Sequence, residues 1–143
     1  MTNLAVMASH EGTSLQTVID YLALKASRCR LVLVISNNKR SRAIARAEKA
    51  NIQTRHISSL THGSRSLADQ AIAETLIDES IDWLLLLGYM KPVTAPILEA
   101  LPERVINIHP SLLPKFGGKG FYGRFVHQAC LLYTSDAADD TCC

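Results

Sequence analysis

The 143-residue chain has no long hydrophobic run, no CxxC pair and no marked excess of charge of one sign. No apolar stretch approaches the roughly 20 residues that a membrane span needs. The amino terminus has no basic region followed by a long apolar stretch, so we expect no secretory signal. The spacing of the four cysteines indicates neither a disulfide framework nor a zinc site, and we expect a reducing, cytoplasmic environment.

Charge and length narrow the class of protein further. Lys and Arg number 15, Asp and Glu number 13, and the net charge of +2 is spread along the chain. This balance argues against a surface dedicated to nucleic acid or to a membrane. A hydrophobic fraction of 48% over this length predicts one globular domain with a substantial core.

Apolar runs alternate with helical patterns over the first 107 residues. The predicted strands are 4–8, 30–35, 53–57, 83–87 and 104–108. The predicted helices are 15–24, 41–50, 67–77 and 92–101, the third with a start expected near Ser64 or Ser66. This order predicts a Rossmann-like α/β fold, an open parallel sheet with helices on both faces, incomplete on its carboxyl-terminal side. Ligands bind at the carboxyl ends of such strands, so the segments that follow strands one, two, four and five should share one rim.

A glycine-bearing loop leads directly into the first predicted helix. A helix amino terminus offers unpaired backbone N–H groups and a positive dipole end, which favours phosphate. Gly12 permits close approach of the backbone, and Thr13 and Ser14 add hydroxyls. The stretch matches neither a GxGxxG fingerprint nor a Walker loop. Helix capping by Thr13 or Ser14 is the alternative, and Glu11 must point away if phosphate binds.

Asn107 and His109 stand two positions apart at the end of the fifth predicted strand. Period-two geometry sends both side chains to one side, and Pro110 biases His109 toward extended backbone. A carboxamide can donate a hydrogen bond to a developing oxyanion, and an imidazole can move protons near neutral pH. The pair suits chemistry at a carbonyl carbon. The alternative is a structural histidine beside a turn-forming asparagine.

The segment after the most hydrophobic predicted strand, residues 88–92, is a candidate for ligand contact. Met90, Pro92 and Val93 offer apolar surface for a slot, and the backbone there can hydrogen-bond a heterocycle. Ordinary loop packing is the alternative interpretation.

The remaining histidines predict no chemistry of their own. His62 and Arg65 lie in a polar stretch that we expect to be a solvated loop. His10, His56 and His127 are predicted to be structural or solvent-facing. No serine or cysteine near the fifth strand has an obvious base partner, so covalent nucleophilic catalysis is not indicated.

Three segments together resemble the phosphoribosylglycinamide formyltransferases of purine biosynthesis. They read SHEGTSLQ, LLLLGYMK and NIHPSLLPKFGGKGFYG in this chain. The NIHPSLLP string is typical of the wider folate-dependent formyl-transfer superfamily, and the other segments narrow the resemblance to this member. It covers about residues 3 to 130, and we expect a catalytic domain over residues 1–130.

The resemblance implies transfer of a formyl group from 10-formyltetrahydrofolate, as co-substrate, to the amine of glycinamide ribonucleotide, with no metal. It implies that Asn107 steadies the oxyanion, that His109 handles protons and that Pro110 lies beside the amine. The residues implied to hold the substrate phosphate are Gly12, Thr13 and Ser14. The residues implied to line the folate side are Met90, Lys91, Pro92 and Val93.

The chain departs from the family pattern in two places. His10 replaces the first glycine of a common Gly-x-Gly, and Ser14 replaces a common asparagine, although backbone N–H groups can still hold phosphate. Residues 131–143 continue no family motif, and we expect them to be a foreign tail, disordered or artefactual. They lack the Asp-x-Gly segment whose aspartate works with the histidine.

This ending predicts that the 143-residue chain is itself inactive or nearly so. A sheet that stops at its fifth strand would expose an edge and an apolar face, which favours aggregation. Joining residues 1–130 to the carboxyl-terminal segment of a family member should restore turnover.

Three other functions are alternatives to formyl transfer onto glycinamide ribonucleotide. A hydrolase of 10-formyltetrahydrofolate would use the same Asn–His pair, but those proteins usually carry an amino-terminal regulatory domain, and this chain starts at its first strand. The GGKGFYG segment counts against a transferase that acts on methionyl-tRNA. A non-catalytic fragment that binds a phosphorylated ligand at Gly12 is the third alternative. Small molecules are therefore the expected partners, with no nucleic acid or membrane, and the oligomeric state is open.

Overall fold

A five-stranded sheet forms the centre of the computed structural model, which describes residues 1–24 and 27–108. The strands are β1 (Thr2–Met7), β2 (Cys29–Ser36), β3 (Gln53–His56), β4 (Trp83–Leu87) and β5 (Val105–Ile108). They are ordered β3-β2-β1-β4-β5, and every pairing is parallel. The predicted Rossmann-like α/β fold is confirmed. Predictions for residues beyond 108, which include His109, Pro110, His127 and the 131–143 tail, lie outside the described residues.

Five helices connect these strands. They are α1 (Thr13–Leu24), α2 (Arg42–Lys49), α3 (Ser59–His62), α4 (Arg65–Asp78) and α5 (Ala95–Ala100). Ser41 caps α2 as predicted, with its side chain accepting the Ala43 N–H. The helix predicted from residue 92 begins only at Ala95, because Thr94 is its N-cap and Pro96 lies in its first turn.

The prediction of a solvated loop around His62 and Arg65 is wrong, because both residues lie in helices. Residues 59–62 form α3. Arg65 is the first residue of α4, whose N-cap is Ser64, so the predicted start of that helix is confirmed. A capping box begins α3: the Ser58 hydroxyl accepts the Thr61 N–H, and the Thr61 hydroxyl accepts the Ser58 N–H. Gly63 ends it in the left-handed region with φ 89°. The S-x-x-T spacing was the signal for this turn.

Two apolar cores lie on opposite faces of the sheet. The α4 face is the side covered by α4 and α5, and its core includes Met7, Leu33, Ile72, Leu84 and Ile97. The α1 face is the side covered by α1 and α2, and its core includes Val6, Leu15, Val34, Ala43 and Ala47. Successive residues of a strand alternate between the two cores, as period-two geometry requires. This alternation also determines the face on which the residues after each strand emerge.

The helices within residues 1–24 and 27–108 are all short. The longest, α4, has 14 residues. None of the helices in this part of the chain combines the length and the hydropathy needed to cross a membrane.

Two isoleucines of α4 provide a matched test of the α4-face core. Ile72 is fully buried, whereas the side chain of Ile77 is 61% exposed. Ile72→Ala should lower the free energy of unfolding by about 2–5 kcal/mol, because it leaves a cavity in a packed core. Ile77→Ala should change it by less than about 1 kcal/mol. Urea denaturation of both variants measures the difference, and equal losses would contradict the assignment of this core.

Candidate functional site

The carboxyl ends of β1, β2 and β4 meet at Ser9, which is 1% exposed. Its hydroxyl donates to Asn37 Oδ1 at 2.7 Å and accepts the Met90 N–H at 2.8 Å. Its own N–H donates to the Gly88 carbonyl at 3.1 Å. The Asn38 side chain donates to the Ser9 carbonyl at 3.2 Å. The segments that follow these three strands therefore form one continuous rim, as the parallel fold predicts.

The glycine loop crosses from this rim to the start of α1 and packs against α2. Gly12 has φ 73°, and a Cβ there would lie 2.8 Å from Ala43 Cα. The Ser41 hydroxyl and the Ala43 N–H both donate to the His10 carbonyl, at 2.8 and 3.2 Å. The Gly12 carbonyl accepts the Gln16 N–H at 2.8 Å. Gly12 therefore serves two purposes, since it permits both the left-handed turn and the close approach to α2.

The loop leaves polar groups available at the amino terminus of α1. Thr13 and Ser14 are the first residues of this helix, where backbone N–H groups have no intrahelical partner. Neither hydroxyl makes a capping bond to any residue in the described ranges. The backbone N–H groups and these hydroxyls form a site of the type that binds phosphate.

Arginines of α2 hold the acidic residue of the loop. Arg46 Nε donates to the Glu11 carbonyl at 2.7 Å, and its Nη1 donates to Gln16 Oε1 at 3.2 Å. The Glu11 carboxylate lies 3.6 Å from Arg42 Nε in an exposed ion pair. Such a pair contributes little stability, but it offsets the negative charge of Glu11 beside the N–H groups at the start of α1.

A cleft of about 310 Å³ opens on the α4 face of the rim. Its lining includes Asn37, Ser59, Arg65, Asp69, Tyr89 and Lys91. Arg65 and Lys91 bring two cations to it from different elements, and Arg65 Nη2 donates to the Pro92 carbonyl at 2.9 Å. Sequence reasoning placed Arg65 on the solvated surface. Arg65 is exposed, and its part in the cleft depends on the α3 turn, which was not predicted.

A buried carboxylate lies beneath this cleft. Asp69 is 3% exposed and accepts a hydrogen bond from the Thr94 hydroxyl. Thr94 is the N-cap of α5 but makes no side-chain capping bond, because its hydroxyl is directed to Asp69. Burial raises the pKa of Tyr89 to about 12, the negative charge of Asp69 adds to the rise, and Arg65 opposes it. Asp69 thus ties α4 to α5 and, together with burial, keeps the Tyr89 hydroxyl protonated to a higher pH than an ordinary phenol.

Asn107 lies at the same edge of the sheet on the next strand. It is half-buried and pairs in register with Leu86 of β4. Leu86 and Val105 both belong to the α4-face core, so alternation places Asn107 on the α4 face. Its carboxamide has no hydrogen-bond partner within residues 1–24 and 27–108. His109 and Pro110, the other predicted residues here, lie outside the described residues.

The predicted folate-side residues differ in exposure. Met90 is 59% exposed, and Lys91 and Pro92 are also exposed. Val93 is 8% exposed and belongs to the α4-face core. Met90, Lys91 and Pro92 can therefore touch a ligand directly, whereas Val93 anchors the segment.

Sequence reasoning did not single out Ser9, Asn37 or Asp69. The rule that ligands bind beyond the carboxyl ends of parallel strands pointed to the segments that hold the first two, but not to these side chains. Asp69 lies within a helical pattern and carried no comparable signal.

The other groups predicted to be inert occupy ordinary positions. His10 and His62 are exposed, and His56 is half-buried. Cys29 is a free thiol. Within the ranges 1–24 and 27–108, no three His, Cys, Asp or Glu side chains group in a way that could hold a metal ion.

The fold and the rim match a known class of protein. The family described as formyl transferase matches residues 2–132. The chain belongs to this family.

Two relatives within the curated proteins show what this chain is similar to in sequence. The chain is 33% identical over 126 residues to phosphoribosylglycinamide formyltransferase of Haemophilus influenzae, covering 88% of this chain and 59% of that protein. It is 39% identical over 114 residues to the trifunctional purine biosynthetic protein adenosine-3 of Bos taurus, covering 80% of this chain and 11% of that protein. The chain thus spans about three fifths of the first relative and about a tenth of the second.

Two solved structures have a fold similar to that of this chain. Glycinamide ribonucleotide transformylase 1 from Symbiobacterium toebii superposes with a TM-score of 0.76 at 34% identity, covering 94% of this chain and 61% of that one. The enzyme of the same name from Geobacillus kaustophilus gives 0.77 at 32% identity, covering 94% of this chain and 70% of that one.

Alanine variants of Gly12 and Gly88 test whether the glycine loop packs closely against α2. Their φ values are 73° and 76°, but a Cβ at Gly88 would meet nothing within 4 Å. Gly88→Ala should lower the free energy of unfolding by about 1–2 kcal/mol, the cost of the left-handed backbone. Gly12→Ala should lose about 1–3 kcal/mol more, because its methyl group overlaps α2. Urea denaturation of both variants measures this, and equal losses would show that the loop does not press on α2.

The raised pKa of Tyr89 predicts a loss of stability in alkali. The unfolded phenol titrates near 10 and the folded one at about 12, so above pH 10 the unfolded state binds fewer protons. The contribution of Tyr89 to stability is therefore complete below pH 10 and is lost between pH 10 and 12. Urea denaturation from pH 9 to 12 should show a steeper decline in the wild type than in Tyr89→Phe. Parallel pH profiles would contradict the burial of this hydroxyl.

Proposed function

We propose that this chain forms the nucleotide-binding and folate-binding part of an enzyme of purine biosynthesis. The enzyme would transfer a formyl group from 10-formyltetrahydrofolate to the amine of glycinamide ribonucleotide. The observation that carries the proposal is the shared attachment of two ligand-binding elements to Ser9. The glycine loop follows Ser9 along the chain, and the Met90 segment is hydrogen-bonded to it.

The glycine loop would hold the phosphate of the nucleotide. The amino terminus of α1 provides N–H groups and a positive dipole end, and Thr13 and Ser14 add hydroxyls. The Arg42 ion pair offsets the charge of Glu11, the acidic residue nearest along the chain. The phosphate would therefore bind on the α1 side of the rim.

The folate would bind at the cleft on the α4 face. Met90 and Pro92 flank Lys91 of the cleft wall in the sequence and would present apolar surface to a flat heterocycle, and Asn37 also lies at the cleft wall. The glutamate end of a folate carries carboxylates, which Arg65 and Lys91 would meet as cations. The formyl group would then lie between the cleft and the glycine loop, near the carboxyl end of β5.

Asn107 would act at this junction. The substrate amine attacks the formyl carbon, and the carbonyl oxygen becomes an oxyanion in the tetrahedral intermediate. The Asn107 amide N–H group would donate to that oxyanion, which typically contributes about 10²–10³-fold in rate. The attacking amine loses a proton and the departing folate nitrogen gains one. His109 would carry out these transfers, with a typical contribution of about 10²–10⁴-fold.

Formyl transfer in a completed chain tests this proposal. Residues 1–130 would be joined to the carboxyl-terminal segment of the Haemophilus influenzae relative. Asn107→Ala should lower kcat about 10²–10³-fold with little change in the affinity for either substrate. His109→Ala should lower it about 10²–10⁴-fold. Gln70→Ala, which removes an exposed carboxamide from α4, should leave kcat within about twofold.

The same assay separates the transferase from its rivals. A hydrolase would release formate from 10-formyltetrahydrofolate at the same rate with or without glycinamide ribonucleotide. A binding module would bind the nucleotide but produce no formylated product. Either result, or an Asn107→Ala variant as active as Gln70→Ala, would refute the proposed function.

A further inference from the structure

We propose that Ser9 is a positioning residue that holds the Met90 segment in place for the folate side of the site. The assignment of this ligand rests on the proposed function. The hydrogen bonds that define the positioning role are made within the chain and do not depend on the identity of the ligand.

One residue holds both ends of the turn that follows β4. The Ser9 N–H donates to the Gly88 carbonyl at 3.1 Å, and the Ser9 hydroxyl accepts the Met90 N–H at 2.8 Å. Gly88 itself is in the left-handed region with φ 76°. The Met90 side chain is 59% exposed, so packing contributes little to its position. Tyr89 and Val93 pack against the α4-face core on either side of it, and the Ser9 hydroxyl holds the Met90 N–H between them.

The direction of the Ser9 hydroxyl is determined by a second contact. A serine hydroxyl has one proton to donate and two lone pairs with which to accept. Its proton goes to Asn37 Oδ1 at 2.7 Å, which leaves the lone pairs for the Met90 N–H. Ser9 is 1% exposed, so bulk water does not compete for either bond. Asn37, a residue of the cleft wall, thus orients the group that holds Met90.

The glycine loop is held by a different buried serine. Ser41 is 5% exposed, donates to the His10 carbonyl at 2.8 Å and accepts the Ala43 N–H at 3.0 Å. Its contacts involve the phosphate side of the rim, whereas the hydroxyl contacts of Ser9 involve the cleft side. The two serines form a matched pair in which the same substitution affects opposite halves of the site.

Ser9→Ala and Ser41→Ala, made in the 143-residue chain, test the inference. Calorimetry would measure Kd for 5-formyltetrahydrofolate, a folate that serves as a stable probe, and for glycinamide ribonucleotide. Ser9→Ala should weaken folate binding roughly three- to tenfold, the effect of one lost hydrogen bond, and leave nucleotide binding within about twofold. Ser41→Ala should show the reverse. Exchange of the Met90 amide hydrogen should accelerate by a similar factor in Ser9→Ala only.

The outcomes distinguish this inference from the proposed function. Unchanged exchange at Met90 in Ser9→Ala, or equal losses of both ligands in both variants, would overturn the positioning role. A wild type that binds neither ligand would refute the proposed function, and the exchange measurement would still decide whether Ser9 holds Met90. If Ser9→Ala does not fold, Ser9→Cys supplies the comparison. Its weakly accepting sulfur should give faster exchange at Met90 and weaker folate binding than the wild type, and wild-type values would contradict the inference.

Discussion

The parallel pairing of β1 with both β2 and β4 is the constraint on which the rest of the structure depends. It places Met7 opposite Ile35 on one side and Leu86 on the other, so all three strands end at the same level. Ser9 then emerges beside the segments that follow β2 and β4, and its buried hydroxyl joins them. A shift of one residue in either register would turn the α4-face side chains to the opposite face and separate these segments. The core and the candidate site are thus consequences of the same pairing.

Charge is arranged differently on the two sides of the rim. The glycine-loop side presents backbone N–H groups at the start of α1, and the arginines near it are occupied with Glu11 and Gln16. The cleft side carries cations at its surface above the buried carboxylate of Asp69. Asp69 binds Thr94 through a hydrogen bond, so it connects α4 to α5 across the segment that carries Met90. A phosphate and a folate would therefore meet surfaces of distinct chemistry within one site.

The sequence predicted the parts of this fold that follow from local periodicity. All five strands, the helices on both faces and the shared rim could be derived, because apolar alternation and strand order are properties of short segments. The α3 turn was not predicted, since its S-x-x-T signal is short and lies in a polar stretch. Ser9 and Asp69 were not singled out because their importance comes from contacts with residues distant in sequence, such as Met90 and Thr94. The roles of Asn107 and His109 remain predictions from the motif that contains them.

The central claim is that the glycine loop and the Met90 segment are adjacent halves of one formyl-transfer site. Binding of a compound that joins glycinamide ribonucleotide to a folate through a short linker tests it most directly. If both halves are occupied together, the effective concentration of the second group is in the millimolar range. The linked compound should then bind at least about 100-fold more tightly than the folate alone. A linked compound that binds no more tightly than the better of its two parts would contradict the account.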